Sequence, residues 1–257
     1  MGLMHDALAQ IESKTPLVPV ILPLARPQQS PVAPRPAPHC APKQFSFPEL
    51  PEPQEPSPAG RSPQAIWPNS PDAETTAACA KLAEGMLCQL SSGRPRVAAF
   101  TSPGDGDGKT SLLMALAPQL ARRMTGGVLA VDANFRKPSL AARVRIPADL
   151  SADRSLLIYP TNLPRLSFLA ASKEQPSRLL DPAWIEELRE GWSLVLLDMA
   201  SLAHAEVAPL LGHCDGTYLV VRLGYTPRRA VTEAARVIRT VGGRLLGCVA
   251  WGEGQNK

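Results

Sequence analysis

The stretch Thr101-Ser-Pro-Gly-Asp-Gly-Asp-Gly-Lys-Thr-Ser111 decides the fold of this chain of 257 residues. It lies between an apolar run, Val97 to Phe100, and a helix-like run, Leu112 to Met124. Glycines between a strand and a helix let backbone N–H groups turn toward a phosphate. A lysine and a threonine at the helix start can supply an ammonium for the terminal phosphates and a hydroxyl for Mg²⁺. The stretch therefore predicts a nucleotide-binding loop.

The loop departs from the strict pattern G-x-x-x-x-G-K-[ST], because its first position, counted back from Gly108-Lys109-Thr110, is Pro103. We expect Gly104 and Gly106 to supply the flexibility instead. The alternative is a surface turn that happens to precede a helix. The predicted nucleotide-binding positions in the loop are Gly104, Asp105, Gly106, Asp107, Gly108, Lys109, Thr110 and Ser111.

Proline divides the chain into a linker and a domain. Of its 28 prolines, 17 fall between Pro16 and Pro71, and such a composition buries little and removes backbone donors. We therefore predict an extended, disordered linker over residues 14–71 and one folded domain over 72–257. Residues 1–13 carry apolar side chains at helical spacing, which predicts a short amphipathic helix. Its role is either a docking peptide or a frayed tail.

Charge and cysteine usage narrow the class of protein. The net charge is +4, and no run of lysine and arginine indicates nucleic-acid binding. Five scattered cysteines argue against a disulfide framework and favour a reducing cytoplasm. The apolar run Leu17 to Ala25 is too short for a membrane span and is interrupted by prolines. We expect a cytoplasmic protein without a transmembrane segment.

Strand-like and helix-like segments alternate after the linker. Apolar runs without strict alternation suit strands that are buried on both faces, so we predict an α/β fold with a mainly parallel sheet flanked by helices. The predicted strands are Val97 to Thr101, Val128 to Asp132, Leu166 to Ala170, Leu194 to Asp198, Thr217 to Val221 and Leu245 to Ala250. The predicted helices are Ala73 to Leu90, Thr110 to Met124, Pro182 to Glu190, Glu206 to Gly212 and Arg228 to Thr240.

Two aspartates end predicted strands, Asp132 and Asp198. A carboxylate at the carboxyl end of a strand beside a phosphate loop can hold Mg²⁺, directly or through water, and can orient or deprotonate a nucleophile. Each aspartate alone is equally compatible with a helix cap or a turn.

The sequence resembles the bacterial tyrosine kinases of capsular and exopolysaccharide export, a P-loop family with a deviant Walker motif related to partition and division-site ATPases. The motifs that carry the resemblance are the loop Thr101 to Ser111, the run Val131-Asp-Ala-Asn-Phe-Arg-Lys-Pro-Ser-Leu140, the strand end Leu196-Leu-Asp198, the run Asp215-Gly-Thr-Tyr-Leu-Val-Val-Arg222 with Thr226-Pro-Arg-Arg229, and the run Leu246-Gly-Cys-Val-Ala250. Together they cover roughly residues 72 to 251. The amino-terminal Met1 to Leu8 is similar to the leader helix of such kinases.

The resemblance implies ATP and Mg²⁺ as cofactors, with Gly106 to Thr110 on the phosphates. It implies Lys109, Asp132 and Asp198 as catalytic residues and Thr110, Asp132 and Asp198 as metal ligands. It also implies that Arg136 places phosphate or a neighbouring subunit. The implied partner is a membrane polysaccharide co-polymerase or activator, which would hold the protein at the inner membrane, and self-association is a further expectation.

Several positions depart from the family pattern. Asn134 stands where the family carries a second aspartate; it adds no charge and cannot act as a base. Met199-Ala200 follows Asp198 in place of Ser/Thr-Pro. Trp251 ends the last strand where related folds often carry an adenine-reading asparagine. Gly104 stands where partition ATPases carry an extra lysine.

The tyrosines differ from the family pattern as well. Such kinases generally phosphorylate a tyrosine cluster in a carboxyl-terminal tail, whereas the tyrosines here are Tyr159, Tyr218 and Tyr225. We therefore expect no autophosphorylation in a tail. The helix motif E-x-x-R-x-x-R is absent, since alanines follow Glu74 at the corresponding positions, so ring assembly is not predicted.

Three functions remain open on these residues. The first is an ATP-dependent tyrosine kinase that acts in polysaccharide biosynthesis and export. The second is a positioning or partition ATPase, which Gly104 disfavours. The third is a nucleotide-gated binding module without catalysis, which Asn134, Met199 and the missing tyrosine tail favour.

Overall fold

The computed structural model describes residues 21–22, 64–68, 72–90, 96–134, 136–146, 158–170 and 181–251, with only the backbone given at 21–22, 205 and 251. The predicted helix of residues 1–13 and most of the predicted linker lie outside the described residues.

One sheet organises the described chain. Its strands are β1 (Ile21–Leu22), β2 (Arg96–Thr101), β3 (Val128–Ala133), β4 (Ile158–Pro160), β5 (Leu166–Ala170), β6 (Leu194–Met199), β7 (Gly216–Arg222) and β8 (Leu245–Trp251). The eight-stranded order is β1-β8-β7-β2-β6-β3-β5-β4. The strands from β8 to β5 pair in parallel, while β1 and β4 join the two edges antiparallel. The predicted mainly parallel sheet is confirmed.

Helices cover both faces of this sheet. They are α1 (Ala73–Gln89), α2 (Lys109–Arg123), α3 (Pro182–Glu190) and α4 (Arg228–Thr240), together with a 3₁₀ helix at Ala205–His213. Asp72 and Asp181 accept backbone N–H groups at the starts of α1 and α3, so each acts as an N-cap. The helix predicted from Glu206 to Gly212 is of the 3₁₀ type and contains Pro209, which has no N–H to donate.

Two apolar cores lie on opposite faces of the sheet. Val97 and Leu197 point to the face covered by α3, α4 and the 3₁₀ helix. Phe100 and Leu196 point to the face covered by α1 and α2. Because β3 and β6 are buried along their whole length, the apolar runs of the sequence follow from burial on both faces.

Part of the predicted linker belongs to this fold. Ala65 and Trp67 are buried, at 0% and 2% exposure, and Ala65 N donates to Pro160 O at 2.9 Å. The edge strand β1 lies in the predicted linker as well. The folded unit therefore includes residues before Asp72, because a tryptophan buries enough apolar surface to hold a proline-rich segment against the core.

Trp67 also supplies a hydrogen bond that the backbone of α2 lacks. Pro118 lies inside this helix and has no N–H for the carbonyl of Met114, four residues earlier. The indole Nε1 of Trp67 donates to that carbonyl at 3.1 Å. The hydrogen bond that proline removes is thus replaced by a side chain from the segment that precedes the helices.

Asp215 joins three elements at the amino ends of the parallel strands, opposite to the loop that follows β2. Its Oδ2 accepts the N–H of Val97 at 2.7 Å and an N–H of Arg189 in an ion pair. Arg189 also donates to His213 O at 2.9 Å. This residue of the family-like run therefore has a structural role, since it fixes the starts of β2 and β7 against α3.

Candidate functional site

The glycine-rich loop connects the carboxyl end of β2 to the first residue of α2. Gly106 and Gly108 have φ of 86° and 90°, a region that side chains disfavour. Gly104 does not have a positive φ, and a methyl group there would meet its nearest atom at 3.9 Å. Of the two glycines expected to supply the flexibility, Gly106 therefore does so and Gly104 does not, while Gly108 is a further position that requires glycine.

Lys109 begins α2 and turns its side chain into the loop. Its ammonium is buried and donates to Ser102 Oγ at 2.7 Å, and Ser102 Oγ donates to Gly104 O at 2.5 Å. Burial lowers the pKa of Lys109, while the negative charge of Asp198 opposes that shift. The cation is thus held among loop oxygens, where it can reach a bound phosphate.

The two strand-ending aspartates lie side by side. Asp132 of β3 and Asp198 of β6 are direct partners in the parallel register, and both are fully buried. Burial raises the pKa of Asp132 to about 6. Burial raises the pKa of Asp198 to about 7, and the neighbouring charge of Asp132 contributes to the rise.

Asp198 has an unused oxygen that fits a divalent cation. Its Oδ2 accepts the hydroxyl of Thr110 at 2.6 Å, and Ser139 Oγ lies 2.8 Å from the same hydroxyl. Its Oδ1 is buried and has no hydrogen-bond partner. Leaving a buried carboxylate oxygen unpaired is costly, and a cation beside Thr110 would satisfy it.

The protein ligands to such a cation would be few. No group of three or more His, Cys, Asp or Glu side chains within the described ranges could hold a metal. Two carboxylates and a threonine hydroxyl suit Mg²⁺, which keeps several waters and binds substrate phosphates. The residues present therefore fit the predicted ion.

Asp132 and Asn134 shape the loop that follows β3. Asp132 Oδ1 accepts the N–H of Asn134 at 3.2 Å, and Oδ2 accepts the N–H of Ala141 at 2.8 Å. Asn134 Oδ1 accepts the N–H of Lys137 at 3.2 Å, which closes a turn. Both side chains thus hold backbone, and each oxygen of Asp132 keeps a further lone pair.

Two predicted phosphate contacts are occupied by other partners. Arg136 is about half exposed and forms an ion pair with Glu206 of the 3₁₀ helix. Ser111 Oγ accepts an N–H of Arg143 at 2.9 Å. Both side chains thus bond to residues outside the glycine-rich loop, although Arg136 is close enough to Asp105 for the charge of that carboxylate to act on it.

The aspartates of the loop are not equivalent. Asp105 is exposed and accepts the hydroxyl of Ser201 at 2.7 Å, which lowers the pKa of Asp105. Asp107 is 1% exposed. It accepts the N–H of Gly104 at 3.1 Å and the hydroxyl of Thr226 at 2.6 Å. Asp107 therefore braces the loop from within.

Sequence reasoning assigned no role to four hydroxyl residues that complete the site. Three of them lie inside the quoted motifs, so the motifs could have indicated that they belong to the site: Ser102, Ser139 and Thr226. Ser201 lies outside those motifs and reaches Asp105 only because the segment after β6 runs beside the loop. The side chain of Trp251 lies outside the described residues.

No protein-family model matches the chain. Among curated proteins, it is 25% identical over 177 residues to the tyrosine-protein kinase CpsD of Streptococcus agalactiae, a match that covers 63% of this chain and 76% of that protein. It is 26% identical to the tyrosine-protein kinase YwqD of Bacillus subtilis, with 62% and 73% covered.

Solved structures agree with these relatives. The BceF tyrosine kinase domain is 29% identical, has a TM-score of 0.59, and the match covers 69% of this chain and 77% of that domain. The kinase domain of the Escherichia coli tyrosine kinase ETK has the same TM-score at 16% identity, with 71% and 77% covered, and shows the fold alone. The resemblance to bacterial tyrosine kinases is thus confirmed in both sequence and fold.

Proposed function

We propose that this chain binds ATP and Mg²⁺ and transfers a phosphoryl group in the manner of the bacterial tyrosine kinases, within capsule or exopolysaccharide production. The observation that carries the proposal is the unpartnered, buried Oδ1 of Asp198 beside the Thr110 hydroxyl, at the start of the helix that Lys109 begins. The similarity to proteins named as tyrosine kinases supports it.

Each residue has a part in this proposal. The N–H groups of the glycine-rich loop and the ammonium of Lys109 bind the phosphates. Thr110 and Asp198 hold Mg²⁺, which supplies neutralising charge to the transferred phosphoryl group when bound. Asp132 lies next to Asp198 in the sheet, as a ligand through water or as a proton acceptor.

Asp132 has the pKa of a general base. Burial raises its pKa to about 6, so the carboxylate is ionised at neutral pH yet binds a proton readily. In the proposed transfer it accepts the proton of the attacking hydroxyl through a free lone pair, while its two backbone hydrogen bonds keep it in place.

We place the protein in the cytoplasm and attach it to the inner membrane through a co-polymerase or activator. No helix among the described residues is long and apolar enough to cross a bilayer. The amino-terminal residues 1–13 and the linker are the proposed means of reaching that partner, and self-association is part of the proposal.

A nucleotide-gated module without transfer is the second candidate. Asn134 brings no charge to the site and uses its oxygen in a turn, and both oxygens of Asp132 already accept backbone N–H groups. Within the same fold, an ATPase that hydrolyses without transfer is the remaining alternative.

The test combines binding and turnover. Purified full-length protein is incubated with γ-labelled ATP, Mg²⁺ and the cytoplasmic segment of a membrane partner. Label on tyrosine supports the kinase, phosphate release alone supports the ATPase, and binding without turnover supports the module.

Lys109→Ala should abolish nucleotide binding, because it removes the ammonium that meets the terminal phosphates. Lys81→Ala is the matched control, since Lys81 is an exposed lysine on α1 and is not part of the loop. Unchanged affinity and turnover in Lys109→Ala would show that the site is wrongly placed.

A further inference from the structure

The loop between β7 and α4 carries an exposed aromatic ring. This loop follows the carboxyl end of β7, at the same end of the sheet as the glycine-rich loop. Tyr225 is 63% exposed, whereas Tyr159 and Tyr218 are buried at 7% and 0%. Leu223, in the same loop, is 39% exposed. Of the two side chains, the tyrosine ring combines a flat apolar face with a polar hydroxyl, so it is the one suited to contact a ligand.

This loop is fixed to the glycine-rich loop by hydrogen bonds. Thr226 Oγ1 donates to Asp107 Oδ1 at 2.6 Å and accepts the N–H of Arg222 at 2.8 Å. Asp107 in turn accepts the N–H of Gly104. Tyr225, next to Thr226 in the chain, is thereby held at a set position relative to the phosphate-binding backbone.

The order of the strands gives a bound nucleotide its direction. The glycine-rich loop follows β2, which lies between β6 on one side and β7 on the other. Asp198 and Asp132 lie on the β6 and β3 side. A Mg²⁺ ion held by Thr110 and Asp198 would draw the terminal phosphates to that side. The nucleoside would then extend toward the opposite side, where β7 and β8 end.

Arg222 packs over the ring of Tyr225. The guanidinium of Arg222 lies 5.3 Å from the centroid of the Tyr225 ring, a cation–π contact that orients the ring. Most of the tyrosine remains exposed. An oriented aromatic ring with open surface is what base stacking requires, and stacking tolerates any base.

We infer that Tyr225, oriented by Arg222, is the stacking platform for the nucleobase. The inference rests on the proposed nucleotide binding and adds the residue that recognises the base. It assigns the phosphates to the glycine-rich loop and the base to the loop between β7 and α4.

The experiment compares two ligands on the full chain. Binding of ATP and of inorganic tripolyphosphate, which has no base, is measured by calorimetry with Mg²⁺ for the wild type and for Tyr225→Ala. Tyr225→Phe keeps the ring, and Leu223→Ala removes a neighbouring exposed side chain as the matched control. GTP is tested alongside ATP.

Tyr225→Ala is expected to weaken ATP and GTP binding by the same factor, about tenfold, and to change tripolyphosphate binding by less than about twofold. Tyr225→Phe and Leu223→Ala should bind ATP as the wild type does. Wild-type ATP affinity in Tyr225→Ala would overturn the inference, as would an equal loss for tripolyphosphate, which would mean that the ring only supports the loop. Failure of the wild type to bind either ligand would overturn the proposed function itself.

Discussion

Asp198 places an ionisable carboxylate in a fully buried position beside a second one, Asp132. Their pKa values are raised to about 7 and about 6, so the folded chain binds protons more tightly than the unfolded chain. The stabilisation of the folded chain that comes from these two carboxyl groups is fully present below about pH 4. It is lost as the pH rises through their folded-state pKa values of about 6 and about 7. Asp72 and Asp105 have lowered pKa values, so their contribution changes at lower pH.

Asp198→Asn should therefore flatten the pH dependence of stability. In the presence of a chelator, which removes divalent cations, the wild type is expected to lose about 1–3 kcal/mol of unfolding free energy between pH 5 and pH 8. The variant should lose clearly less, because its amide does not ionise. Urea unfolding at several pH values measures this, with Asp181→Asn as the control on an exposed carboxylate. Equal slopes in wild type and Asp198→Asn would contradict it.

Glycine is required at only some positions of the loop. Gly106 has a φ of 86° and open space where a methyl group would lie, so alanine there is strained by the backbone alone. Gly106→Ala should cost about 1–2 kcal/mol of unfolding free energy. Gly104→Ala should change it by less than about 0.5 kcal/mol or stabilise slightly, since its φ is not positive. Denaturant unfolding of the two variants side by side distinguishes them.

At the scale of elements, the pairing of Trp67 with the broken hydrogen bond of α2 can be tested by a double-mutant cycle. Trp67→Phe leaves the Met114 carbonyl unsatisfied and should cost about 1–3 kcal/mol. Pro118→Ala restores an N–H for that carbonyl. In the Pro118→Ala background the cost of Trp67→Phe should fall by about 1 kcal/mol. Additive effects in thermal and denaturant unfolding would argue against the pairing.

Local sequence patterns predicted some elements well and others not at all. The helices α3 and α4 and the strand β5 have the predicted bounds, because a cap, a proline or a mostly apolar run marks their ends. The strand β4 was missed, since three residues ending in Pro160 carry no periodicity and pair only through their neighbour β5. The same reason hid Trp67, whose partner is a carbonyl 47 residues away.

The candidate site shows the same limit. Lys109, Thr110, Asp132 and Asp198 could be predicted, because each ends a strand or begins a helix in a recognisable order. The sequence did not show that Asp132 and Asp198 face each other in register, since the order of the strands is not local. Ser201 and the engagement of Arg136 with Glu206 depend on how the segments after β3 and β6 run, which no motif reports.

At the scale of the whole molecule, the boundary of the domain is the testable quantity. A chain beginning at residue 64 retains Trp67 and the hydrogen bonds of Ala65 and Ile66 to the core. One beginning at Asp72 loses them and should be less stable by about 3–5 kcal/mol, as for the loss of a buried tryptophan. Urea unfolding of both chains measures the difference. Equal stability would return the boundary to Asp72.

Trp67 also links the segment that precedes α1 to the helix α2. The buried side chain of Trp67 attaches residues 64–68 to the core. The strand β1 is the other described attachment of the chain that precedes the helices. The indole of Trp67 holds the helix whose first residues are Lys109 and Thr110. Because β1 is paired with β8, a pull on the amino terminus would first load the sheet, and it would reach the helix that carries Lys109 and Thr110 through Trp67 only once that short strand had been released.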